Sequence, residues 1–204
     1  MADLNISVAA GSDDAEETSA PSVPNLTSSD LDFYNGTVEY VGIRFLNVTI
    51  PAGSTIDTVI IRGTAKTTRS GSGHTQTIYC EDIDDAPTFT AANGNISSRT
   101  KTTASASWTP GAVTANNTYD TVDFTAVLQE VIDRGGWASG QDVAVIFVGS
   151  TWQDSARDWY SFNNGSNYPQ IRITYTPPAA GGAALPILSE QGIHSLVFGG
   201  VTVR

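Results

Sequence analysis

Cysteine, methionine and lysine are nearly missing from the 204 residues: one Cys, one Met, and two Lys (Lys66 and Lys101). A lone thiol excludes an intrachain disulfide and makes a poor metal site. Cys80 sits in the strand-like run Thr77-Ile78-Tyr79-Cys80 and reads as a small buried apolar residue. Positive charge is scarce as well. Ten Lys and Arg against 21 Asp and Glu give a net charge of −11 and a pI near 4.3. Displacing counterions from phosphate needs a basic face, so nucleic acid is excluded as a partner and an anionic membrane surface is disfavoured. No apolar run approaches the roughly 18 residues of a membrane-spanning helix. The opening Met1-Ala2-Asp3-Leu4-Asn5-Ile6-Ser7 has no basic stretch followed by an apolar one, so synthesis in the cytoplasm without a signal peptide is expected.

Catalytic motifs are also wanting. The two histidines, His74 and His194, stand in no metal-ligand spacing, and neither a Gly-x-Ser-x-Gly elbow nor a phosphate-cradling loop occurs. His74 follows Ser70-Gly71-Ser72-Gly73 and is expected in a flexible polar loop, a poor place for a Ser-His-Asp triad. The expectation is a protein that is not an enzyme and carries no cofactor.

What the chain has is alternation. Leu4, Ile6 and Val8 alternate with polar residues; Val41, Ile43 and Phe45 share one face. Pro51-Ala52-Gly53 marks a turn, after which Ile56 to Arg62 resumes a strand. Thr102 to Trp108 reads as a packed or edge strand, and Val143 to Val148 as a central strand buried on both sides. Ile171, Ile173 and Tyr175 alternate again before Pro177-Pro178. Short strands between Gly, Asn and Pro clusters indicate a sandwich or barrel. One segment differs: Phe124, Val127, Leu128, Val131 and Ile132 form a helical stripe, with Asp123 as the expected N-cap, Arg134 complementing the dipole and Gly135-Gly136 as the stop. The prediction is an all-β, jelly-roll-like antiparallel sandwich over residues 1–176 with one short helix at about 124–134.

From Pro177 the composition becomes that of a linker, followed by an apolar, β-prone tail. Residues 177–204 are too few to bury a core alone. Leu185, Ile187, Leu188, Ile193, Leu196, Phe198 and Val201 are therefore read as an extended arm that packs on its own domain or docks on another chain.

Acidic residues cluster at Asp13, Asp14, Glu16 and Glu17, at Asp30 and Asp32, and at Glu81, Asp82, Asp84 and Asp85. The expectation for these runs is solvated loops. The alternative is a Ca²⁺ site on Asp13, Asp14, Glu16 and Glu17, since Ca²⁺ takes six to eight oxygen ligands, although the EF-hand pattern is missing. Trp152, Trp159, Tyr160, Phe162 and Tyr168 gather in one stretch that reads either as core or, with Trp152 and Trp159 exposed, as a stacking platform for sugar rings.

Five stretches carry a family resemblance. They are Ser12-Asp13-Asp14-Ala15-Glu16-Glu17; Val41-Gly42-Ile43-Arg44-Phe45 with Ile50-Pro51-Ala52-Gly53; Ser97-Ser98-Arg99-Thr100 leading to Ser107-Trp108; Val127 to Gly140; and Ser155-Ala156-Arg157. Together, over about residues 4–176, they resemble the jelly-roll-type sandwich modules of secreted bacterial surface and carbohydrate-associated proteins, which also resemble domains of tailed-phage virions. The resemblance implies a non-catalytic binding or structural role. Combined with the apolar arm and the missing export signal, it leads to the expectation of a virion surface component made in the host cytoplasm. Such a protein would decorate the capsid, with the major capsid protein or other virion subunits as partners and self-association, in a trimer for example. The alternative expectation is a carbohydrate-binding module, Ca²⁺-stabilised or not, adhering to surface glycans.

Overall fold

A computed structural model describes residues 1–18, 20–33, 39–149 and 157–179. Among them are eleven strands and one α-helix. The strands are β1 (Ala2–Ser7), β2 (Asp14–Glu17), β3 (Asp30–Asp32), β4 (Tyr40–Val48), β5 (Thr55–Thr64), β6 (Gln76–Cys80), β7 (Ala106–Trp108), β8 (Thr118–Asp120), β9 (Gln141–Gly149), β10 (Asp158–Tyr160) and β11 (Gln170–Thr176). The helix α1 spans Thr125–Ile132, between β8 and β9.

All pairings are antiparallel, and they form a four-stranded sheet β1-β11-β5-β8, a five-stranded sheet β2-β4-β9-β6-β7 and a two-stranded ribbon β10-β3. The chain alternates between the two large sheets. Numbering β1, β4, β5, β6, β7, β8, β9 and β11 as first to eighth, the sheets read 1-8-3-6 and 2-7-4-5. That order is a jelly roll, two interleaved Greek keys, with β2 added beside β4. The all-β sandwich read from the alternation is therefore the observed architecture.

The inward residues of both sheets make one core. Val41, Ile43 and Phe45 of β4, Val143, Val145 and Phe147 of β9, and Ile78 and Cys80 of β6 meet Val59 and Ile61 of β5 and Ile171 and Ile173 of β11. Ile56 and Val59 are both buried despite being three residues apart, because the β5–β11 register shifts between Thr174 and Tyr175 and leaves Asp57 as the extra residue. The opposite face of β9 is covered too. Ala144 and Ile146 pack with Ala15, Ala86, Phe89 and Ile96, so the all-apolar run of this strand serves two cores.

The helix places Val127, Leu128, Val131 and Ile132 in the main core, as its stripe predicts. Its start is shifted, since Phe124 occupies the N-cap while Asp123 Oδ1 accepts the Thr125 amide at 2.7 Å. Arg134 does not serve the helix end. Its guanidinium donates to Asp84 Oδ1 at 2.6 Å and to Asp82, and full carboxylate charges outcompete the partial charge of a helix terminus. The arm residues Leu185, Ile187, Leu188, Ile193, Leu196, Phe198 and Val201 lie outside the described residues, as do Trp152 and His194.

Candidate functional site

The acidic run near the N-terminus is not a solvated loop. Asp14–Glu17 is the edge strand β2, and Asp13, Asp14, Glu16 and Glu17 are all buried. Each carboxylate has its own task. Asp13 pairs with Arg44 Nη1 at 2.6 Å, and Asp14 Oδ2 accepts the Phe162 amide at 2.7 Å. Glu17, fully buried, accepts from the amides of Ser22 (3.1 Å), Ile96 and Ser97 (2.9 Å each) and from Ser97 Oγ (2.5 Å). Glu16 Oε2 accepts the Asp32 amide at 2.9 Å. Strand alternation sends neighbours to opposite faces, so these four do not converge as one ligand set. The run is structural cement between β2 and segments up to 148 residues away.

The carboxylates that do converge lie in the β3–β10 ribbon. Asp32 and Asp158 are directly opposite in its register, and Asp30 is two residues from Asp32 on the same strand. One oxygen from each of Asp30, Asp32 and Asp158 lies within 4.8 Å of the others. Leu31 and Trp159, the residues between them, are almost fully buried and anchor the ribbon to the core. Alternation thus fixes the anchor on one face and the carboxylates on the other.

Two glutamates adjoin this trio. Burial pushes the Glu16 carboxyl up to about 7, with the Asp32 amide opposing and the charges of Asp32 and Asp30 adding. Burial pushes Glu39 up to about 8, and the charges of Glu16 and Asp32 push it further. Asp32 is itself raised by burial and by the charges of Asp30 and Asp158, while Lys66 and Arg69 pull it down. Among the described residues, Asp30 alone of the five has an ion pair, with Lys66 Nζ at 2.8 Å. Asp158 accepts from Thr67 Oγ1, and Ser28 Oγ donates to Asp30 Oδ1 at 2.9 Å. The site is an oxygen-rich cluster with an excess of negative charge, chemistry that suits a hard cation.

Trp159 cannot be a sugar platform. Its indole is 1% exposed and meets the Phe33 ring edge-on at 4.8 Å and Trp108 at 5.3 Å. The bulk of two sheets plus the ribbon closes over it. His74 is likewise buried at 1% exposure rather than held in a flexible loop. Cys80 is buried as expected, and burial drives its thiol pKa far upward.

Two surfaces stay open to solvent. The outer face of the four-stranded sheet carries a groove of about 340 Å³ lined by Asp3, Asn5, Thr58, Ile60, Arg172, Ile173 and Thr174. And β1 is an edge: among the described residues it pairs with β11 and with nothing on its other side. In comparisons with known proteins, no protein-family model and no curated protein matches this chain.

Proposed function

We propose that the chain is a non-enzymatic structural protein that assembles by strand exchange on a virion surface, decorating or cementing a bacteriophage capsid. The observation that carries this reading is the edge of β1. Among the described residues its six, Ala-Asp-Leu-Asn-Ile-Ser, offer an unpaired row of backbone groups with no Lys, Pro or bulge to guard it. Natural sheets usually blunt such edges, and an unblunted one is a template for an added strand. The occupant we assign is the β-prone tail, residues 185–203, of a neighbouring copy. That tail follows β11, the strand that lies beside β1, and its apolar residues need cover that about 20 residues do not give themselves. Exchange of a tail between identical subunits forms a symmetric ring where the rotation between them closes, the geometry that attachment at a lattice symmetry axis requires.

The test is a chain cut after Thr176. It should retain the far-UV dichroism of the sandwich, sediment as a monomer and fail to coat particles, while a synthetic peptide of residues 183–204 binds to it. A cut chain that oligomerises like the full one removes the arm from the mechanism. A second reading, glycan adhesion, keeps one supporting observation after the loss of Trp159: the polar groove of Asp3, Asn5, Thr58, Arg172 and Thr174, whose donors and acceptors suit hydroxyl groups. Glycan-array binding that Arg172→Ala abolishes would favour it.

A further inference from the structure

The β3–β10 ribbon is built against its own electrostatics. Like charges directly opposite on paired strands are destabilising, yet Asp32 faces Asp158 and Asp30 flanks them on the same sheet face. A ribbon with three residues per strand has few ladder bonds with which to offset that repulsion. Glu39 deepens the imbalance. It is 5% exposed, no hydrogen bond or ion pair reaches its carboxylate among the described residues, and the negative charges of Glu16 and Asp32 act on it. A buried carboxylate without a partner is costly to ionise, so it either holds a proton or gathers a cation.

We infer that Asp30, Asp32 and Asp158 are ligands of a Ca²⁺ ion, with Glu16 and Glu39 completing the ring of negative charge around it. The three oxygens within 4.8 Å of one another can gather on one ion at the 2.3–2.6 Å of Ca²⁺–oxygen bonds with side-chain adjustments of a few tenths of an ångström. Five carboxylates outnumber the cations beside them, Lys66 paired with Asp30, Arg69 acting on Asp32 and Arg157 on Asp158. That many oxygen donors favour Ca²⁺ over Mg²⁺, which keeps most of its waters and uses one or two carboxylates. Ligands come from two segments, residues 30–32 and 158, that are far apart in the chain. The ion therefore staples β3 to β10 and turns the repulsion between Asp32 and Asp158 into shared coordination. This site is distinct from Asp13, Asp14 and Glu17, which accept hydrogen bonds from Arg44, Phe162, Ile96 and Ser97 and do not join the convergent trio. It does not depend on the arm or on the virion setting.

The experiment uses the full chain, stripped with EDTA and titrated with CaCl₂, with MgCl₂ and with Tb³⁺, whose emission the neighbouring Trp159 sensitises. The expected result is one Ca²⁺ per chain, a melting temperature that rises with Ca²⁺ concentration, and Tb³⁺ emission that Ca²⁺ quenches by competition. Asp32→Asn and Asp158→Asn should each weaken Ca²⁺ at least about tenfold. Asp120→Asn, in an exposed pair with Arg62, should leave affinity unchanged. Glu39→Gln covers the case in which the aspartate variants fail to fold. It should keep the stripped protein folded, since no hydrogen bond or ion pair among the described residues depends on that carboxylate, and still weaken Ca²⁺. The proposal is overturned by a wild-type chain that shows no heat, no shift in melting and no Tb³⁺ emission at millimolar ion. Equal affinity for Mg²⁺ overturns it too.

Discussion

Gly63 is the position where the packing makes its sharpest demand. A Cβ added there would lie 2.1 Å from both Cδ2 and Cε3 of the Trp159 indole. Ordinary carbon–carbon contact needs about 3.5–4.0 Å, so the ring must retreat by roughly 1.5 Å. It has nowhere to go, with Phe33 edge-on at 4.8 Å and Trp108 at 5.3 Å, all of them buried. Overpacking of this kind costs about 1–3 kcal/mol, and the confined ring places Gly63→Ala at the upper end. Removing a glycine from a strand returns about 0.5–1 kcal/mol, which leaves a net loss near 2 kcal/mol. Urea unfolding followed by tryptophan fluorescence and far-UV dichroism measures it as a lower midpoint at unchanged slope. The same change in a Trp159→Phe background should cost at least about 1 kcal/mol less, since the shorter ring vacates the space. A Gly63→Ala protein with an unchanged midpoint, or full additivity of the two substitutions, would refute the claim that this glycine exists to admit the indole.

Two further outcomes follow from burial. Cys80 should not react with a thiol reagent in the native protein and should react stoichiometrically once urea unfolds it, because its thiolate is inaccessible and disfavoured. Glu17→Ala should lose roughly 3 kcal/mol or more, as it strands the buried amide of Ile96 along with those of Ser97 and Ser22; a loss under about 1 kcal/mol by thermal or urea unfolding would contradict the four-bond assignment.

How much of the fold is legible in the sequence depends on how local each cause is. The run Val143 to Val148 announces a strand covered on both sides, because apolarity without alternation leaves no face suited to water. The segment that covers its second face, with Ala86, Phe89 and Ile96, has no period to betray it. Its order comes from distant groups, such as the Arg99 guanidinium over the Phe89 ring at 4.3 Å and paired with Glu81 at 2.5 Å. The acidic run at 13–17 misleads for the same reason. Charge density argues for solvent, whereas burial is decided by Arg44, Ile96, Ser97 and Phe162, none of them near in the chain. The carboxylate trio is the extreme case. Asp30 and Asp32 hint at it by sharing a strand face, but Asp158 joins them only through the pairing of the ribbon. Asp123, expected as the helix cap, is displaced by one residue because Phe124 has a core to fill.

The distribution of burial also constrains where a partner can act. The five-stranded sheet is spent on packing: its inner face lines the main core, and its outer face carries the second cluster under residues 81–101. Among the described residues the four-stranded sheet has no such cover. Its outward residues Asp3, Asn5, Thr58, Arg172 and Thr174 form lateral pairs, among them Thr58–Thr174 at 2.7 Å and Arg172–Asn5 at 3.2 Å, that order a polar surface without closing it. The same sheet owns the open β1 edge. A partner that added a strand to β1 would extend both the hydrogen-bonded ladder and this polar face, so affinity would come from the backbone and selectivity from Asp3 and Asn5. The β3–β10 ribbon lies against β2 and meets that sheet only at β5, where Trp159 packs on Gly63, with β11 between β5 and the β1 edge. Removing the ion should therefore lower stability while leaving strand addition at β1 intact in the protein that remains folded.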